Sequence, residues 1–183
     1  QMADKSSYGI YAYGGKIDAQ TAAGKGVMNC AGDYTVSDLS ISNNTVNCSS
    51  SESRGIFVTG VNNSEIVSNR LTDYASAENG INAVNICASS KNNVVGNVID
   101  GNFNNGISLY DANSLSSKNI DIDNNSITNI KSYGIRVAND SFAVIKSSNN
   151  ISAGTSTICL YSKNYSQNLA NVTLASTSFS LRN

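Results

Sequence analysis

A short phrase recurs down the chain: an apolar residue, two spacers, an Asn, one spacer, a second apolar residue. It reads Ile41/Asn44/Val46, Ile66/Asn69/Leu71, Val94/Asn97/Ile99 and Ile122/Asn125/Ile127. A Gly-Ile pair follows each time, at Gly55-Ile56, Gly80-Ile81, Gly106-Ile107 and Gly134-Ile135. Successive Asn residues stand 25, 28 and 28 apart, and each Gly trails its Asn by 11, 11, 9 and 9. A period of that size marks stacked units, each burying its apolar face only against its neighbours.

The rest of the sequence agrees with stacked strands. Charged residues make up 14% of the chain, against about 25% in ordinary domains. Polarity comes instead from 28 Asn and 30 Ser. Such a composition alone would suit disorder, but the periodic Ile, Val and Leu supply apolar surface to bury. Asn, Ser and Thr compete with the helical backbone for hydrogen bonds, and no stretch keeps a helical apolar period over three turns. The absence of Pro suits sheets in which every interior N–H is used.

At 183 residues the chain fits one domain. A net charge of -1 without a basic block argues against a nucleic-acid partner. No stretch reads as a leader or a membrane span. The repeat begins close to Gln1, so the chain reads as a mature form or a segment of a larger protein. Cys30, Cys48, Cys87 and Cys159 permit three disulfide pairings, but they are widely spaced and read as free, partly buried thiols. Cys48, two residues after Val46, is expected to face inward. Without His or a close Cys pair, no metal site is expected.

One unit shows the expected winding. Ile120-Asp121-Ile122 is a strand, Asp123 to Asn125 a bend, and Ile127 opens a second strand. A loop from Asn129 through Tyr133 leads to a third strand, Gly134-Ile135-Arg136-Val137. Ile120, Ile122, Ile127, Ile135 and Val137 face one interior. Gly80-Ile81-Asn82-Ala83, Gly106-Ile107-Ser108-Leu109 and Thr157-Ile158-Cys159-Leu160 align with the third strand. Near the N-terminus Gly26-Val27 fits the register, whereas Gly9-Ile10 precedes it by too few residues for a full turn. Strands about 4.8 Å apart give six or seven units a length of roughly 30 Å. Asn44, Asn69, Asn97 and Asn125 then form a ladder of buried bend residues, each amide satisfied by those above and below.

From Asp38 to Tyr161, this order of Asn bend, apolar strand, loop and Gly-Ile strand resembles the parallel β-helix repeats of the pectate-lyase-like superfamily. The resemblance implies an all-β, right-handed, single-stranded parallel β-helix of about six to seven coils with three parallel sheets, as one domain over residues 1–183. Pectate lyases, polygalacturonases, alginate epimerases and lyases, and phage tailspike depolymerases share this fold. The Asn/Ser-rich texture is most similar to a tailspike or surface adhesin segment. That implies an extracellular, cell-surface or virion location, a polysaccharide partner, no membrane span, and flanking domains or a homo-oligomer such as a trimer.

The resemblance also lays a glycan along the Gly-Ile sheet. Strand alternation turns the residue after each Ile outward, namely Phe57, Asn82, Ser108, Arg136 and Cys159. Thr59, Val84, Tyr110, Ala138 and Tyr161 come two residues later, and Tyr11 and Tyr13 extend the set. Phe57, Asn82, Tyr110, Arg136 and Tyr161 are the expected sugar-binding residues, because aromatic rings cover sugar faces and amides or guanidinium bond hydroxyls and carboxylates. The alternative is a solvated face of good strand formers.

Catalysis would need placed carboxylates. Asp111 and Asp140 end neighbouring Gly-Ile strands, about 5 Å apart along the axis, close to a retaining glycosidase pair. The same pair would suit calcium; otherwise no cofactor is called for. Asp73 and Asp100 form a second such pair. Arg136 is the candidate for lyase chemistry by resemblance. The Asp-with-His pattern of polygalacturonases and the Asp-Pro-His-Glu motif of alginate epimerases are both absent. Three readings follow: a glycan-recognising domain, a polysaccharide lyase or glycoside hydrolase, and a structural spacer or oligomerisation module.

Overall fold

A computed structural model describes residues 8–14, 16–17, 28–29, 36–49, 53–74, 80–109, 117–138, 141–161 and 171–175. Most of the strands among them wind into three parallel sheets; Lys16–Ile17 pairs with Met28–Asn29 as a small antiparallel ribbon, and Val36–Ser37 with Val61–Asn62 as a small parallel one. Sheet I holds Tyr8–Tyr13, Arg54–Thr59, Gly80–Cys87, Phe103–Leu109, Tyr133–Ala138 and Ser156–Tyr161. Sheet II holds Thr45–Cys48, Arg70–Asp73, Val98–Gly101, Ser126–Ile130 and Asn150–Ala153. Sheet III holds Ser40–Ser42, Glu65–Val67, Asn93–Val95, Ile120–Asp123, Phe142–Lys146 and Asn171–Ala175. Each strand pairs with its counterparts one coil earlier and one coil later, so the expected stacking is the one found.

The core is a set of apolar columns. Ile41, Ile66, Val94 and Ile122 stack in sheet III, and Val46, Leu71, Ile99 and Ile127 in sheet II. All five residues expected to share the interior of the Asn119 unit are wholly buried. Ile130, placed by sequence in a loop, is also in the core. Burying each such side chain stabilises by about 1.5–3 kcal/mol.

The bend between sheets III and II shows how the sequence makes a corner. Asn43, Ser68, Gly96 and Asn124 all have positive φ, a conformation that Gly and Asn tolerate best. The ladder Asn follows each of them. The backbone N and Nδ2 of Asn69 donate to Asn97 Oδ1 at 2.9 and 3.0 Å. Those of Asn97 donate to Asn125 Oδ1 at 2.9 Å each. Asn44 joins one end through Asn69, and Asn149 the other through Asn125. Every amide in the column is therefore paired, as buried polar groups must be.

A second ladder escaped the sequence reading. At the corner between sheets I and III, the backbone N of Ser89 donates to Ser117 Oγ and that of Ser117 to Ser141 Oγ. All three serines are wholly buried. Their separations, 28 and 24 residues, equal those of Asn97, Asn125 and Asn149. Residues in phase with the Asn column were the available signal.

Three register assignments need correction. Ile10, not Val27, pairs with Ile56, so Gly9-Ile10 takes the place beside Gly55-Ile56; Gly26 and Val27 lie outside the described residues. In the next coil Val84 stands opposite both Ile56 and Ile107. Ala83-Val84 is thus the equivalent pair, three residues after Gly80-Ile81, and Val84 is a core residue rather than an outward one. Finally, Asp100 lies opposite Thr72 while Asp73 lies opposite Gly101 and is wholly buried, so the second aspartate pair is not formed.

Candidate functional site

The recurring glycine breaks strand alternation where the chain enters sheet I. A Cβ on Gly55 would point inward, onto Leu71, and the next residue, Ile56, is also inward and wholly buried. Arg54 is consequently returned to the outer face, three residues before Phe57. Each rung of sheet I thus presents two outer residues. One column is Tyr8, Arg54, Asn82, Asn105, Tyr133 and Ser156. The other is Tyr11, Phe57, Asn85, Ser108, Arg136 and Cys159.

The register correction moves Asn82 out of the column expected for it and puts Asn85 there. Asn82 is buried and tied into the face: its Oδ1 accepts from Asn105 Nδ2 at 2.7 Å, and its Nδ2 donates to Asn85 Oδ1. Phe57 and Arg136 stand in the second column, both half-buried. Tyr161 pairs with Ala138 through its backbone. Tyr110, Asp111 and Asp140 lie outside the described residues.

The chemistry of the face changes along the axis. At the N-terminal end Tyr8, Tyr11 and Phe57 form a triangle, with ring centroids 5.2, 5.5 and 5.4 Å apart. The Arg54 guanidinium lies 5.4 Å from the Tyr8 ring and 5.8 Å from Phe57, within cation–π range. Tyr8 and Tyr11 remain 37% and 43% exposed. Toward the middle the face turns to amides and hydroxyls. Here Asn105 Oδ1 and Ser108 Oγ are buried with no hydrogen-bond donor or acceptor from the described residues. Sequence reasoning found Tyr11 and Phe57 but missed Tyr8 and Arg54, because strict alternation places both indoors.

A second polar cluster lies on sheet II. Asp100 accepts from Asn129 Nδ2 at 2.7 Å, Thr128 Oγ1 at 3.0 Å and Tyr74 OH at 3.0 Å. The Asn129 bond is the main reason its carboxyl sits below the usual range, with Thr128, Tyr74 and Arg70 adding to it against partial desolvation. The same carboxylate raises the Tyr74 phenol above its ordinary value. Asp100→Asn is expected to bring Tyr74 back toward about 10, read from its ring carbons by NMR titration. Because the carboxyl is depressed in the folded chain, its stabilisation is complete above about pH 3.9. It is lost as pH falls through the lowered value.

Among the described residues no three His, Cys, Asp or Glu side chains form a metal-binding group, and no helix is long and apolar enough to cross a membrane. Cys48, Cys87 and Cys159 are free thiols.

A family model described as a right handed beta helix region matches residues 3–151. The chain belongs to the right-handed β-helix family. No curated protein and no solved structure gives a match. Membership agrees with the three stacked sheets, and in a β-helix the repeat residues build the scaffold while activity resides in what the scaffold displays.

Proposed function

We propose that this β-helix is a polysaccharide-recognising domain of an extracellular, cell-surface or virion protein, such as a tailspike. The sugar chain lies along the outer face of sheet I. The observation that carries the reading is the triangle of exposed Tyr8 and Tyr11 with half-buried Phe57, beside Arg54. Rings of this kind cover the apolar faces of sugars, and the guanidinium bonds hydroxyls or carboxylates. A platform repeated every 4.8 Å or so suits a linear ligand. Past the buried Asn82, Asn85, Asn105 and Ser108 of the middle rungs, half-buried Tyr133 and Arg136 stand in the same two columns. Flanking domains or further copies of the chain at the ends of the coil belong to the same reading.

The test is affinity electrophoresis through gels containing acidic and neutral polysaccharides. At least one polymer is expected to retard the protein. Tyr11→Ala should weaken that retardation about tenfold, or ~1.4 kcal/mol, without changing the circular dichroism spectrum. Free mobility in every gel would reject the reading. A lyase or hydrolase working in the same groove, through Arg136 with Asp111 or Asp140, would also release unsaturated sugars or reducing ends from the retarding polymer.

A further inference from the structure

The corners between sheets II and I differ in length along the axis. Asp73 and Gly80, the strand ends of one coil, are separated by six residues, beginning with Tyr74. In the next coil Asn102 alone separates the strands, and in the one after only Lys131 and Ser132. A cleft of about 570 Å3 lies at these corners, lined by Tyr74, Gly101, Asn102, Asn129, Lys131 and Gly154 among others. Its size falls within the roughly 300–1,000 Å3 usual for small-molecule sites.

We propose that this cleft binds a pyranose ring, at a site separate from the outer face of sheet I. Three features support a built site. The Tyr74 ring is 65% exposed, yet its hydroxyl is held by Asp100 Oδ2 at 3.0 Å. An exposed ring held at its tip is an oriented flat surface, the element that sugar faces stack upon. Sheet II also bulges here, where its register against the next strand shifts between Ile127 and Ile130, and Asn129 takes a φ of 56°. Bulges re-aim side chains beside functional sites; this one directs Asn129 Nδ2 to the same carboxylate, at 2.7 Å. The remaining lining, with Asn102, Lys131, Gly101 and Gly154, is rich in hydrogen-bond donors and acceptors of the kind that pair with sugar hydroxyls. None of these residues belongs to the aromatic triangle, so the proposal does not depend on the sheet I reading.

The experiment is NMR mapping of the 15N-labelled protein with the methyl glycosides of glucose, galactose, mannose, N-acetylglucosamine and glucuronic acid, added singly at millimolar concentration. At least one is expected to give saturable shifts at the amides of Gly101, Asn102, Lys131 and Gly154. The glucuronic acid arm distinguishes an acidic from a neutral preference. Tyr74→Ala should weaken that binding about tenfold while Tyr11→Ala leaves it unchanged. Being so exposed, Tyr74 should be replaceable with only a small change in thermal midpoint, the loss of its single bond to Asp100. Absence of shifts from all five sugars, or shifts that persist in Tyr74→Ala, would overturn the proposal, whatever the outcome for polysaccharides on sheet I.

Discussion

Asn97→Ala is expected to destabilise the β-helix by about 3–5 kcal/mol, because several buried groups lose their partners at about 1–3 kcal/mol each. Asn97 is wholly buried at the centre of the ladder. Its Oδ1 accepts both the backbone N–H and the side-chain amide of Asn69. Its Nδ2 donates to Asn125 Oδ1 and to the carbonyl of Ile66, each at 2.9 Å. Truncation strands the Asn69 N–H and the Ile66 carbonyl where water does not reach. Asn97→Asp is expected to be no milder, since an oxygen would then face the Ile66 carbonyl and Asn125 Oδ1. Asn44, half-buried at the end of the column, provides the control: Asn44→Ala should cost about 1 kcal/mol. Urea unfolding of the three variants checks the gradient. Equal losses at Asn97 and Asn44 would mean that the ladder contributes nothing beyond local bend geometry.

That column was the part of the fold most legible in the sequence, for a physical reason. A bend that buries an amide in every coil needs the same residue in the same place, so the period is written directly in the chain. The Ser89, Ser117 and Ser141 column obeys the same logic but hides among 30 serines. The Gly-Ile marker misled at Gly80 because the structure asks for a small residue there, not for glycine itself. Ala83 meets that demand, and Ala83-Val84-Asn85-Ile86 carries the same in-in-out-in pattern as Gly55-Ile56-Phe57-Val58. Spacing alone argues against Gly9-Ile10, yet Ile10 is the residue that pairs with Ile56. A repeat period says nothing about an excursion inserted between one rung and the next.

The candidate sites were less legible, again for nameable reasons. Phe57 and Tyr11 follow from alternation. Tyr8 and Arg54 do not, because the inward turn at Gly9 and Gly55 adds a second outer column that no period-two rule predicts. The Tyr74 cleft draws its lining from several successive coils and from a bulge at Asn129, features that emerge only once the coils are stacked. The acidic residues show the opposite error. Asp73 and Asp100 share a place in the repeat by eye, but a one-residue offset buries the first wholly and leaves the second half-buried.

The small-residue column leads to the second large effect. Gly106→Val is expected to destabilise the β-helix by about 3 kcal/mol or more, at the upper end of overpacking costs. The φ of Gly106 is not positive, so backbone strain is not the cause; space is. A Cβ there would lie 2.5 Å from Ile127 Cγ2 and 2.6 Å from the carbonyl oxygen of Gly134. The first belongs to a wholly buried core residue and the second to the backbone of the next rung, so neither can swing away. Gly106→Ala should lose less, about 1–3 kcal/mol, because Ala83 already shows that one rung can spread to take a methyl group. Gly96 isolates the other kind of glycine. Its φ is +65°, and a Cβ would meet only Ser68 Oγ at 3.6 Å, so Gly96→Ala should cost about 1 kcal/mol, the left-handed penalty alone. Urea midpoints for the three variants should therefore fall in the order Gly96→Ala, Gly106→Ala, Gly106→Val. A Gly106→Val chain as stable as Gly96→Ala would mean that the rungs of sheet I are not held at the separation that turns Arg54 and Tyr8 outward, and the aromatic face would lose its structural cause.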